Sequence, residues 1–510
     1  MTDATSSPSR TNASQADATD AIDASCRVPL FVLVLSGALW LVIGSMFALV
    51  ASIKFHAPQF LADSPFLTYG RVYPAATNSF LYGFCLQVGL AVGLWLIARL
   101  GGALLAQPWL ITVGAMLWNL GVTVGVLAIL AGNNTGFENL EMPGYAAVIL
   151  FLGYLMIGLW GVVTFHRRRD RGLFVSQWFL FTALFWFPWI YSTANLLLIS
   201  FPVRGVVQAV IAWWYSNNLT VVWLSLVGLA AVFYFVPKLT RRELHSHYLA
   251  LYTYWMLILF ASWGGIPNTA PVPAWMPVTS TVATVLTVIP ILAVALNVFW
   301  TLRAQDPASN RSADAPSASP PEAEPRGRNS RAPSFFPLAF IVVGVFAFVL
   351  AGLSRVVGVL IDTNQTLHFT WFARAQSLLN IYGFLVMVLF GSVYYILPRL
   401  AGMDFPFASL IRVHFLLALL GILVLVSPLA IGGGIQTVLF QNPDLASVDI
   451  AKRMLPFLRV STTGDLFLLL GHLVFLGNLA GLVWRFYRAR AAAAYAVATA
   501  DLFKPAEARS

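Results

Sequence analysis

Apolar runs of bilayer-crossing length recur twelve times along this chain, and that recurrence restricts it to a bundle of membrane helices. Spanning about 30 Å of hydrocarbon at about 1.5 Å per residue takes roughly 20 residues. Runs of that order fall at 28–53, 76–98, 108–131, 144–165, 174–199, 206–236, 247–263, 278–302, 335–360, 372–397, 408–431 and 464–484. With 59% hydrophobic and only 10% charged residues, the chain lacks the polar surface a soluble globule needs. The expected fold class is all-α integral membrane, a twelve-helix bundle in contact with the lipid bilayer.

Orientation follows from where the cations fall, because basic loops stay cytoplasmic. Of the 30 Lys and Arg residues, 22 lie on the side shared by both termini and the even-numbered loops, including Arg167, Arg168, Arg169 and Arg171. Both termini are therefore predicted to be cytoplasmic, and the net charge of +10 reflects this asymmetry rather than a nucleic-acid surface. The expected organisation is a disordered tail over 1–27, helices 1 to 8 over 28–302 and a flexible Pro/Ala/Ser/Arg-rich linker over 303–334. Helices 9 to 12 of the same bundle follow over 335–484, then a cytoplasmic tail over 485–510.

Several chemistries have no starting point. The two cysteines, Cys26 and Cys85, belong to no CxxC or CxxCH motif, which excludes covalent haem attachment. GxxxxGK[ST], HExxH and paired carboxylates within the spans are absent as well.

Four segments carry more information. The second span opens RVYPAATNSFLYGF from Arg71, and the sixth holds AWWYSNNLTVVWL from Ala212 with Tyr234 to Lys238 beyond it. The seventh ends SWGGIPNTAPVPAW from Ser262, and the tenth begins LHFTWFARAQSL from Leu367. In this register the chain resembles subunit I of the cbb₃-type cytochrome c oxidases, a branch of the haem-copper oxidase superfamily, over roughly residues 28–484. Pro74, Thr77, Asn78, Trp213, Trp214, Tyr215, Asn218, His368 and Thr370 match the family pattern.

The resemblance implies haem b and copper as cofactors, yet six positions that it assigns to metal-binding histidines hold other residues. Ala76 and Leu378 stand where the low-spin haem ligands would be, and Gln376 where the high-spin haem ligand would be. Asn217, Pro267 and Asn268 occupy the copper positions, and Ala261 replaces the active-site tyrosine. The chain has seven histidines, of which only His368, His414 and His472 fall in the bilayer region, at different depths and without an HxH or HH pair. No catalytic residue, bound metal or cofactor is therefore expected. The expected role is a non-catalytic subunit I-like pseudoenzyme in a respiratory complex of the bacterial inner membrane, with other respiratory or cytochrome subunits as partners.

Two rival readings stand beside it. One is a haem-containing oxidase or reductase subunit in aerobic electron transfer with rewired ligands. The other is a transporter using midplane cavities lined by Asn217, Asn218 and Asn297. His368 suits hydrogen bonding at the outer mouth of span 10, and His472 a structural bond inside the bundle. Met116, Met156, Met256 and Met387 read as packing residues. Arg374 and Arg355 require partners, with Asp362 or Asn364 in reach along the chain; the alternative is an anion pocket, and His368, Arg374 and Asn364 together form the expected residual polar site.

Overall fold

The computed structural model describes residues 8–169, 172–304 and 335–500. Most of the expected linker, 305–334, and the outermost parts of both tails lie outside the described residues. In chain order the longer apolar helices are α1 (Asp17–Lys54), α2 (Tyr69–Gly101), α3 (Pro108–Ala131), α4 (Gly144–His166), α5 (Val175–Ser200) and α6 (Val206–Thr240). They continue with α7 (His247–Ala261), α8 (Trp275–Arg303), α9 (Phe335–Val359), α10 (Trp371–Ala401), α11 (Ala408–Phe440) and α12 (Ser447–Thr499). Eleven are long and apolar enough to cross a membrane, and α7 is a shorter apolar helix of 15 residues. The described residues contain no β-strand.

Local chemistry sets the helix ends. Pro108 opens α3, where its missing N–H costs nothing, and Gly132 closes it at φ +94°. Arg71 at the start of α2 donates to the Leu130 carbonyl at 3.2 Å, placing a cation at the carbonyl end of α3. Ser246 caps α7 by accepting from the Leu249 N–H, while Asn297 on α8 bonds both backbone groups of Ser246.

Burial sorts the helices into layers. The apolar windows of α2, α6 and α10 are 100%, 83% and 89% buried, against 39–56% for the other eight spans, so these three form the centre. They approach closely where side chains are small: a Cβ on Gly228 of α6 would meet Phe384 of α10 at 2.5 Å. Toward one end, Trp95, Phe235 and Tyr395 from the three helices meet at ring-centroid distances of 5.2–6.1 Å. All three helices switch to π-helical winding, at Ser79–Leu86, Asn218–Trp223 and Leu379–Val386. Such single-turn widenings concentrate at functional sites.

The structure corrects the reading of the N-terminal tail. Helix begins at Pro8 and continues into α1, so residues 8–27 are not disordered. Composition misled because Asp23, taken for a solvated acid, is buried: it accepts from the Trp95 indole at 2.9 Å and pairs with Arg99 at 3.4 Å. At the other terminus α12 carries the chain helically through the first part of the expected 485–510 tail.

Candidate functional site

Ala76 lies in α2 just before its π segment, and Leu378 immediately before that of α10. Together they line one cavity of about 90 Å³ between α1, α2, α10, α11 and α12. Phe80 and Tyr382, one turn further into the bundle, stack across it at 4.0 Å. A methyl and an isobutyl group carry no lone pair, so the two positions present no donor atom to this space. Its polar lining comes from elsewhere. Arg374 donates to the Tyr73 hydroxyl at 2.6 Å with its guanidinium over the Tyr73 ring, and Asp465 of α12 is hydrogen-bonded with Ser52. Asp465 was missed from sequence, although an acid inside the apolar run GDLFLLL is the signal that could have found it.

The other positions gather on the far face of α10. Gln376 lines two adjoining cavities, about 210 and 180 Å³, and Pro267 and Asn268 line the second. Asn217 and Ala261 are tied to each other, the Asn217 amide donating to the Ala261 carbonyl at 2.8 Å. Gly265, at φ +101°, packs so closely on Asn217 that an added Cβ would sit 2.5 Å from the Asn217 Cβ. The fold thus assembles the four segments around two neighbouring spaces, and the positions that the resemblance assigned to copper hold an amide bonded to backbone, a proline ring and a second amide. Asn268 itself donates to the Val359 carbonyl at 3.1 Å and accepts from Thr281 at 2.7 Å.

The expected polar trio does not share one space. His368 lines the 180 Å³ cavity with Asn364 and a separate outer pocket of about 380 Å³ with Arg374, so it sits between two partners that do not meet. Nor does Asp362 serve Arg355: Asp362 is exposed, and among the described residues Arg355 has no ion pair or hydrogen bond. The asparagines expected to line a transport cavity are engaged elsewhere. Asn217 and Asn218 bond backbone carbonyls of the α7 end, and Asn297 secures the start of that helix.

His472 has the structural bond expected of it, through Nδ1 to Ser45 Oγ at 2.7 Å. His414 bonds the Tyr394 hydroxyl at 2.9 Å. Both rings pack on Phe390, at 4.4 and 5.9 Å, so helix packing brings together two histidines that linear depth kept apart. Each leaves Nε2 buried and without a partner. Groups of three or more His, Cys, Asp or Glu able to hold a metal ion are absent among the described residues.

A further polar centre escaped the sequence. Asn78 of α2 donates to the buried Glu141 carboxylate in the α3–α4 loop at 2.8 Å. One turn on, Tyr82 shares a 2.5 Å hydroxyl bond with Tyr215 of the Trp-Trp-Tyr motif and donates to the Asn139 carbonyl. Burial pushes the Glu141 carboxyl up to about 7, partly opposed by the Asn78 bond.

Residues 29–467 match the model of the cytochrome c and quinol oxidase polypeptide I family. The chain belongs to that family. Among curated members it is 21% identical over 475 residues to a cytochrome c oxidase subunit 1 homolog of Azorhizobium caulinodans, covering 88% of this chain and 81% of the relative. It is 22% identical over 477 residues to cytochrome c oxidase subunit 1 of Rhodobacter capsulatus, covering 88% and 83%. A cbb₃-type cytochrome c oxidase subunit of Stutzerimonas stutzeri is 20% identical over 412 residues, 79% of this chain and 82% of that one. The family fold extends to a solved haem-copper terminal oxidase dimer, with TM-score 0.67 and 15% identity over 90% of this chain and 84% of the other. The cbb₃-type resemblance read from the motifs is therefore borne out, in a divergent member.

Proposed function

We propose that this family member is a non-catalytic subunit I-like protein of a bacterial respiratory complex. One observation carries the reading: Ala76 and Leu378, at the two positions from which a low-spin haem would be ligated, face a single cavity and offer it no donor atom. The copper positions support it. Asn217 is spent on a backbone carbonyl and Pro267 has no donor side chain, so the residues present do not fit haem b and copper in the family arrangement. No redox step is therefore assigned to the chain. Its role is then to present the family framework to other respiratory or cytochrome subunits, in the inner membrane with both termini cytoplasmic.

Optical absorption of the purified protein tests this reading. The expected result is no stoichiometric Soret band, with co-purification of another membrane or cytochrome subunit in mild detergent. A reproducible bis-imidazole spectrum at about one haem per chain overturns it. Such a spectrum would favour the second reading, a haem-containing oxidase or reductase subunit with rewired ligands. The observation behind that alternative is the pair of unpartnered Nε2 atoms of His414 and His472 around Phe390. The transporter reading loses its lining residues, since Asn217, Asn218 and Asn297 bond backbone groups.

A further inference from the structure

Arg355 of α9 is the one Arg, Lys, Asp or Glu side chain among the residues lining the 210 and 180 Å³ cavities, and it lines both. Its Nε is shut off from solvent with no hydrogen-bond partner, and no acid pairs with it among the described residues. An unpaired guanidinium inside a membrane bundle is costly, and the cost is relieved by a counter-charge or by water. The cavities suit a counter-charge. Among the described residues Gln376, between them, makes no side-chain hydrogen bond, and Ser377 beside it in the larger cavity is equally uncommitted. Free amide and hydroxyl donors thus surround a planar cation that favours planar, two-oxygen acceptors.

We propose that the paired cavities around Arg355 and Gln376 form a binding site for one small monovalent oxyanion, of the nitrate or formate class. Charge fixes the valence, since a single guanidinium neutralises one negative charge and a dianion would leave a net charge buried. Space is ample, because the cavities exceed the roughly 30 Å³ that one water occupies in the liquid. The site rests on the ligand-loss reading to this extent: a haem held at Gln376 would fill the same space.

The experiment is calorimetric titration of the full chain in detergent with sodium nitrate and sodium formate, against chloride and sulfate at constant ionic strength. Haem absorption is measured on the same preparation. Saturable one-to-one binding of nitrate or formate is expected, weakened about tenfold or more in Arg355→Gln. Gln376→Leu, which keeps the charge, should weaken it severalfold and serves as the readout should Arg355→Gln fail to fold. Haem-free protein that binds neither oxyanion, and therefore holds only water there, overturns the site but leaves the ligand-loss reading standing. Undiminished binding in Arg355→Gln, or chloride bound as tightly as nitrate, also overturns the oxyanion assignment. Haem-loaded protein overturns both.

Discussion

Asn78 and Glu141 are joined by a 2.8 Å hydrogen bond that ties a motif residue of α2 to a buried acid on the α3–α4 loop. The acid is held up at about 7 by burial, against an ordinary value of 4.5. A carboxyl whose pKa is raised by folding holds a proton that the unfolded chain has already released, so its contribution to stability falls as pH rises from 4.5 through about 7. Glu141→Gln keeps an acceptor for Asn78 and removes the titration. Thermal unfolding in detergent should show the variant more stable than wild type near pH 8, by up to about 3 kcal/mol, with the gap closing near pH 5. Parallel pH profiles would remove Glu141 as the source.

The Tyr82 and Tyr215 hydroxyls are unequal partners, because Tyr82 also donates to the Asn139 carbonyl. Tyr215→Phe should cost about 1 kcal/mol, since Tyr82 retains a partner. Tyr82→Phe strands both the Tyr215 hydroxyl and the Asn139 carbonyl and should cost about 2 to 3 kcal/mol. A double-mutant cycle by denaturant unfolding checks the order; the reverse ranking would contradict the network.

Gly433 in α11 faces the backbone of α10 so closely that a Cβ would fall on the Phe372 nitrogen. Gly434, its neighbour, has open space where a Cβ would go. Gly433→Ala is expected to lose about 3 kcal/mol or fail to fold, and Gly434→Ala to lose nothing measurable. Folded yield and melting temperature of the two variants make the comparison.

Sidedness is testable with thiol labelling, because Cys26 and Cys85 are both buried and give a low background. Ala62 in the α1–α2 loop and Ala494 near the end of α12 are exposed. A membrane-impermeant maleimide added to spheroplasts should label Ala62→Cys directly and Ala494→Cys only after permeabilisation. The opposite pattern would invert the cytoplasmic assignment of the termini.

The membrane helices were legible because the length of an apolar run is a property of the chain itself. Their polar ends were not. α12 starts at Ser447 rather than near 464, its first turns carrying Asp449, Lys452 and Arg453, which an apolar window discards. Asp23 read as part of a solvated tail because its partners, Trp95 and Arg99, lie more than 70 residues away. The motif register assigns Ala76 and Leu378 to one site, and in the structure both line one cavity. The bond that holds Glu141 and the isolation of Arg355 could not be read, because each depends on which distant side chains the folded helices bring near.

The π-helical segments make α2, α6 and α10 each behave as two helical bodies in series. Each widened turn shifts the angular register, so residues before and after it do not share one ideal helical wheel. Removing one residue from Ser79–Leu86 would allow continuous α-winding but swing Ala76 and Asn78 by about 100° relative to the far half of α2. Asn78 would turn from Glu141, and the cavity wall at Ala76 would be replaced by a neighbouring side chain. The same chain length therefore sets both the depth of these helices and the heading of the residues they deliver, and a single deletion would alter the second while scarcely touching the first.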